Sequence, residues 1–477
     1  MNLESESHEG LKAGSLNALG AIALGAVMMA PALGIYANLG LISAESGEVA
    51  PAVFLLSLIC TLPSAVSYAL IARELPSAGS SYRWLSESIN PAVGMWVGLL
   101  LVATYLLAVI LQPMLFGLFF NELLAAVFGM QIGYGTWMVG VVLSSILVAL
   151  IAYPGIQMSA KASIVLMVAE LVVVFALSLT ILTGHWLDDR VQFTPFNPAR
   201  SLGGSHGLFG GLVFGLLSFV GFGVITTAAE ETNSPRSTIP KVVVLACILL
   251  GGFWAFTAWG FCLALRPQEW ADYVTKGINP VAVIAQLYWR GGSIVVILTA
   301  ITSVLGVYAA SMVGYARVAY AMGRDGTLPN YFGKLHPKYR VPWNAQHVVL
   351  VVTILVAAIW GRWLGLYLSY DWWGSALVLF AMVSNILVNL GCGVFFYRFR
   401  RREFSGVWHG FIPVLGIITS FLPLYYSFGT NLWQAGWKRG QSVILFCIFI
   451  VIACSIYTYV LSRLKPEVLQ RSLARGE

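Results

Sequence analysis

Charged residues are scarce in this sequence. Asp, Glu, Lys and Arg together make up 10% of the 477 residues, whereas hydrophobic residues make up 58%. Soluble globular domains carry about 25% charged residues, so a fold surrounded by water would leave much of this apolar surface exposed. A membrane-spanning helix needs about 20 consecutive apolar residues, and runs of that kind cover most of the chain. The composition therefore predicts an all-α integral membrane protein whose main partner is the lipid bilayer.

The sequence also lacks the usual marks of a disulfide framework, a metal site or a nucleotide site. All six cysteines fall within apolar runs, which argues against disulfides and against a cysteine metal site. The six histidines show no HExxH spacing, and no GxxxxGK[ST] segment offers a phosphate-binding loop. An enzyme needs clustered catalytic groups, and we find none within the apolar runs. We therefore expect no cofactor, no metal and no enzymatic activity; a membrane-embedded receptor or enzyme is the alternative from another class.

Apolar runs of spanning length predict about twelve helices in a single membrane transport domain, residues 1–477. The first ten residues are polar and acidic, so we expect no removable signal peptide. With the N-terminus in the cytoplasm, 19 of the 27 Lys and Arg residues fall on the cytoplasmic side. The positive-inside rule then places both termini in the cytoplasm of a cell inner (plasma) membrane. The basic cluster 398–402 is interpreted as an anchor at anionic lipid, with no role for nucleic acid.

Two predicted helices contain helix-breaking residues near their middle. The segment in helix one comprises Met29, Ala30, Pro31, Ala32, Leu33 and Gly34, and the segment in helix six comprises Phe219, Val220, Gly221, Phe222 and Gly223. Proline removes a backbone donor, and glycine gives the backbone freedom to unwind. Kinks and close helix packing are the alternative explanation for each segment. Because the two helices stand five apart, the pattern favours a five-plus-five inverted repeat with broken helices 1 and 6 that form a substrate site.

The repeats are predicted at residues 15–183 and 207–398, followed by helices 11 and 12 at 408–465. Trp372 and Trp373, at the start of predicted helix ten, are interpreted as interfacial belt residues.

Three segments resemble those of the amino acid-polyamine-organocation superfamily of transporters. They are ARELPSAGSSY at 72–82, AEETNSP at 229–235 and ARVAYAMGRDGTLP at 316–329. The resemblance implies a LeuT-type fold that moves a small molecule by alternating access, with a ligand site enclosed by helices one and six and by parts of helices three, eight and ten. Tyr308, a polar residue midway along helix eight, is a further candidate for the substrate site. Glu230 and Glu231 close helix six at the cytoplasmic face, where we expect them to brace a gate with Arg73 or Arg317; a solvated helix end is the alternative.

The substrate is predicted from two departures from that resemblance. Amino acid carriers of the superfamily often have Gly-Ser-Gly or Gly-Thr-Gly where Ala30, Pro31 and Ala32 stand, so one donor for a substrate carboxylate is missing here. Polyamine carriers often place a carboxylate directly after the Gly-Phe pair of helix six, where this chain has Gly223. A zwitterionic amino acid is therefore ranked first. A monoamine or amino alcohol is ranked second, and a polyamine would lack its obvious partner.

Glu170 lies about halfway along helix five, where a charged side chain is costly and usually functional. The resemblance places it near the position at which proton-coupled relatives carry a lysine beside a vacant sodium site. A packing glutamate is the alternative. Ser311 is the one weak candidate for a sodium ligand, so we predict a secondary active transporter that is coupled to protons rather than to sodium.

Overall fold

The computed structural model describes residues 27, 29–77, 79–153, 160–232, 234–339 and 341–467. This part of the chain contains 11 helical stretches that are long and apolar enough to cross a membrane. The first, Pro31–Glu74, has 44 residues and bends at Gly47, whose φ is 71°. A straight helix of that length would span about 66 Å, twice the hydrocarbon core of a bilayer. It therefore contains two crossings, and the predicted all-α membrane fold is confirmed.

We number the crossings α1 to α12. α1 comprises Pro31–Leu33, the π-helical Gly34–Leu39 and Gly40–Ser46, and α6 comprises α6a, Ser205–Phe219, and the 3₁₀-helical α6b, Phe222–Glu231. The other bounds are α2 Ala50–Glu74, α3 Pro91–Phe128, α4 Tyr134–Ala152, α5 Ala160–Leu187, α7 Pro235–Ala264, α8 Ser293–Arg324, α9 Trp343–Trp363 and α10 Leu366–Phe399. α11 runs through Gly406–Phe411, Ile412–Pro423 and Leu424–Leu432, and α12 through Trp437–Gln441 and Ser442–Leu464.

Within the described part of the chain, three short α-helices lie between the crossings: Ser81–Ser88, Pro267–Thr275 and Pro280–Trp289. The sequence pattern did not predict them, because each is far shorter than the spanning length that the search required. Two of them begin at a proline, which fits the first helical position because its missing N–H is not needed there.

α1 and α6 lie inside a shell formed by the other helices. α2 packs along α7, α3 along α8, and α10 against α3. α1 is buried from Pro31 to Ser43, whereas many side chains of α5 and α12 are exposed on the outside of the bundle. The two interrupted helices are therefore surrounded by protein, where irregular backbone is tolerated in a membrane. The proposed inverted repeats contain α1–α5 and α6–α10, and their symmetry stays a prediction.

Candidate functional site

α1 is interrupted at Ala30, as predicted. Ala30 has the left-handed backbone angles φ 45° and ψ 75°, and the helix begins again at Pro31. Its carbonyl oxygen accepts hydrogen bonds from the N–H groups of Leu33 at 3.0 Å and Gly34 at 3.4 Å. Proline has no N–H and a fixed φ, so it fits this first position of the new helix. The break is a defined joint whose backbone donors have specific partners.

A tryptophan from α7 holds this joint. Trp254 Nε1 donates a hydrogen bond of 2.7 Å to the carbonyl oxygen of Pro31. The same indole ring packs on Gly34, where an added Cβ would collide with it. Gly34 is therefore needed for close approach rather than for an unusual φ, since its φ is −53°.

α6 is interrupted at Val220 and Gly221, again as predicted. α6a ends at Phe219, Val220 turns to an extended ψ of 105°, and Gly221 has a φ of 145°. A φ in this region strongly favours glycine. The last carbonyl groups of a helix lack intrahelical partners and carry partial negative charge. The end of α6a is therefore suited to accept hydrogen bonds from a cation.

The two joints face one cavity. The space open to the centre of a water molecule is about 130 Å³, whereas a single water needs about 10–15 Å³ by this measure. The cavity therefore has room for a small metabolite. Among the described residues, its lining consists entirely of uncharged side chains. Nine of the predicted substrate residues line it: Met29, Ala30, Leu33, Gly34, Phe219, Val220, Gly221, Phe222 and Gly223.

Three predicted substrate residues lie elsewhere. Pro31 and Ala32 are buried in α1 and do not line the cavity. Tyr308 is fully buried in α8, and its hydroxyl group lies 3.3 Å from that of Ser145 on α4. The residues of α8 that reach the cavity are Val307 and Ser311, which are four apart and share one helix face. Tyr308 stands about a quarter turn away from that face.

A chain of hydrogen bonds crosses one end of the cavity. The hydroxyl group of Tyr370 on α10 donates to Asn38 Oδ1 at 2.7 Å, and Asn38 Nδ2 donates to Ser218 Oγ at 2.8 Å. All three residues line the cavity and are buried. These hydrogen bonds join α10, α1 and α6a.

A family model described as an amino acid permease matches residues 16–463. The chain belongs to this amino acid permease family. Relatives of this permease include the low-affinity putrescine importer PlaP of Escherichia coli, 25% identical over 83% of this chain and 85% of the relative. The branched-chain amino acid permease BcaP of Lactococcus lactis is 24% identical over 75% and 77%. The serine/threonine exchanger SteT of Bacillus subtilis is 24% identical over 84% and 89%. These three relatives are thus named as transporters of putrescine or of amino acids.

Glu170 of the permease lies behind the joint in α1 rather than in the cavity. Its side chain is buried, and Oε2 accepts a hydrogen bond of 2.8 Å from Ser303 Oγ on α8. The carboxylate also accepts a hydrogen bond from the backbone N–H of Ala32. A carboxylate at this point faces the positive end of the helix that starts at Pro31. Glu170 is thus bonded to the first turn of an interrupted helix.

The predicted gate is described only in part. Arg73 Nε lies 3.1 Å from Glu74 Oε1, and Arg400 also pairs with Glu74, at 3.2 Å. Arg317 lies within electrostatic range of Tyr105, which lines the cavity. The backbone of Glu230 and Glu231 belongs to α6b, but their side chains are outside the described set. A gate formed by these four residues stays a prediction.

Sequence reasoning missed most polar residues of the cavity, among them Asn38, Gln112, Tyr370 and Asn385. Each is a single polar residue in an apolar helix, so no local pattern marks it. The pairing of Asn38 with Tyr370 joins positions 332 residues apart. Intramembrane amides were the one available signal, because polar groups at membrane depth are costly and usually functional.

Proposed function

We propose that this permease is a secondary active transporter that moves a small amino acid across the membrane by alternating access, driven by protons. The observation that carries the proposal is an uncharged cavity located between two interrupted helices. Transferring a net charge into such a site is costly, so a zwitterion fits better than an ion of either sign. The carbonyl end of α6a is available for its ammonium group.

Proton coupling is supported by the position of Glu170. The ionised carboxylate is attracted to the positive end of α1 and accepts the Ala32 N–H. A proton on Glu170 weakens that attraction, so the position of α1 and the binding of the proton depend on each other. Two access states that bind a proton differently are what a coupled carrier requires. Ser311 lines the cavity as a lone hydroxyl group on α8, and it remains the weak candidate for a sodium ligand.

A monoamine or amino alcohol is the second candidate, and one observation favours it. The backbone donors in the first turn of α1 are all accounted for: Pro31 has none, Ala32 bonds Glu170, and Leu33 and Gly34 bond the Ala30 carbonyl. A substrate carboxylate therefore finds no free amide in this turn, and its donors must come from elsewhere in the cavity. A polyamine remains a weaker alternative, because among the described residues no carboxylate lines the cavity. A membrane-embedded receptor or enzyme is the alternative from another class.

The test is uptake by purified protein in sodium-free proteoliposomes with an imposed inward proton gradient. Matched pairs of ligands, each a neutral amino acid and the amine left when its carboxylate is removed, distinguish the two candidates. We expect the amino acids to accumulate, and we expect a protonophore to abolish accumulation. Accumulation of the amines alone would favour the second candidate. Saturable binding of a ligand without any uptake would favour a receptor.

The proposed orientation follows the charge distribution, with both termini in the cytoplasm of the plasma (inner) membrane. α1 then runs outwards, so that Ser46 and the first residues of α10 and α12 lie on the outer side. The hydrogen-bonded chain of Tyr370, Asn38 and Ser218 closes the outer end of the cavity in this orientation.

A further inference from the structure

A partly buried ionic cluster joins three helices on the outer side of the cavity. Arg439, at the start of α12, places Nε 2.8 Å from Asp371 Oδ2 on α10, and its Nη2 bonds Glu45 Oε1 on α1. Asp371 lies more than one turn inside α10, which begins at Leu366. None of these three residues lines the cavity, and none of them is a hydrogen-bond partner of Glu170.

The cluster forms a second level of contact between α1 and α10. At the first level, Tyr370 bonds Asn38 directly. Asp371 follows Tyr370 in α10, and Glu45 is seven residues after Asn38 in α1, about two turns along the same helix face. α1 and α10 have no direct charge pair at the second level, because both contributions are carboxylates. The guanidinium of Arg439 supplies the positive charge that joins them.

The two ion pairs of Arg439 differ in the solvent exposure of their carboxylates. The side chain of Asp371 is 3% exposed, whereas those of Arg439 and Glu45 are 37% and 29% exposed. Separating Arg439 from Asp371 would leave a carboxylate unpaired in the protein interior, which is strongly unfavourable. Glu45 can leave Arg439 and be solvated at low cost. The Glu45–Arg439 pair is therefore the one that can break and re-form.

α12 is fixed to α10 by further contacts. Trp372 Nε1 donates to Ser442 Oγ at 2.8 Å, and the rings of Trp372 and Trp373 lie 5.2 and 5.7 Å from that of Phe446. Both tryptophans are buried, so the interfacial belt interpretation of these residues is wrong; their burial follows from the packing of α12 on this end of α10. Arg439 therefore keeps its position relative to α10 when α1 moves.

We propose that the Glu45–Arg439 pair is an outer latch, which holds α1 against α10 when the cavity is closed to the outside and opens when α1 moves. α12 thereby takes part in gating through Arg439. The latch rests on the proposed alternating access, but its readout requires no transport. Its loss shifts the resting population towards the outward-open state.

The experiment compares Glu45→Gln with Glu48→Gln. Glu48 lies three residues further on and pairs with Arg200 at 3.9 Å, a contact that involves neither α10 nor α12. The reporter is Ala108→Cys, since Ala108 lines the cavity on α3 and none of the six native cysteines does so in the described structure. A membrane-impermeant maleimide is added from the outside, without substrate. Each variant without Ala108→Cys measures the background from native cysteines.

We expect Glu45→Gln to label about two- to tenfold faster than the parent, as the loss of one partly exposed ion pair allows, and Glu48→Gln to label at the parent rate. Arg439→Lys keeps the charge beside Asp371 but loses the fork that bonds two carboxylates, so it should behave like Glu45→Gln. Equal labelling rates for the parent, Glu45→Gln, Glu48→Gln and Arg439→Lys, each shown to be folded, would overturn the latch. Faster labelling of Glu45→Gln together with no substrate accumulation by the parent protein would refute the proposed transport and retain the Glu45–Arg439 pair as a contact that controls outer access to the cavity.

Discussion

Trp254 and Pro31 are 223 residues apart in the chain, yet the indole N–H of one bonds the backbone carbonyl of the other at 2.7 Å. Pro31 is buried in the first turn after the break, and a hydrogen bond from another helix to its carbonyl contributes about 0.5–1.5 kcal/mol. The sequence cue for the break was Pro31 alone. The break is stabilised by a partner that no local pattern could indicate.

We expect Trp254→Phe to weaken ligand binding by about three- to tenfold, because the ring remains while the Pro31 carbonyl loses its donor. Ligand affinity and thermal unfolding are measured in detergent. Trp259→Phe is the matched control: it lies on the same helix, also donates to a carbonyl, that of Gln192 at 2.8 Å, and is remote from the cavity. Equal effects of the two substitutions would contradict a specific role for Trp254.

Gly221→Val should reduce ligand affinity by at least about tenfold while part of the protein remains folded. A φ of 145° is strained for any L side chain, and Gly221 lines the cavity. Gly252→Val on α7 is the control, since an added Cβ there meets nothing within 4 Å. Loss of folded Gly221→Val protein with unchanged affinity in the remainder would support a packing role instead.

Glu170→Gln should abolish accumulation driven by a proton gradient and retain exchange of substrate down its own gradient. The amide cannot carry the proton, whereas the cavity is left intact because Glu170 does not line it. Uptake is measured in sodium-free proteoliposomes, with Glu87→Gln as a control on the surface pair of Arg83 and Glu87. If Glu170→Gln keeps full gradient-driven accumulation, Glu170 is structural and the proposed coupling must be abandoned.

Tyr370→Phe should reduce the thermal stabilisation that a saturating ligand produces, because the closed state loses the bond from Tyr370 to Asn38. The expected loss is about 1 kcal/mol, the usual contribution of one buried hydrogen bond. Tyr397→Phe, on an exposed side chain of the same helix, is the control. An unchanged ligand-induced shift in Tyr370→Phe would show that this bond does not depend on the bound state.

The sequence predicted the membrane fold and the positions of the two breaks, since both depend on local composition. Runs of apolar residues indicate crossings, and Pro31 and Gly221 mark breaks through their own backbone chemistry. The orientation of the side chains around the breaks was harder to predict from the sequence. Tyr308 and Ser311 are three positions apart, and the helical rotation between them decides which one reaches the cavity.

Long-range pairing could not be predicted at all. Arg439 stands between two apolar runs of the sequence, yet its guanidinium reaches Asp371 inside the bundle. A long cationic side chain near a helix end can extend either to water or to a buried carboxylate, and the sequence alone contains nothing that distinguishes the two.

The position of Glu170 behind α1 has a consequence for how such a carrier can diversify. The cavity and the carboxylate contact opposite sides of the same short stretch of backbone, residues 30–34. Under the proposed coupling, the side chains that select the substrate can therefore be exchanged without altering the carboxylate that binds the proton. The same proton gradient could then drive different substrates as the lining of the cavity changes.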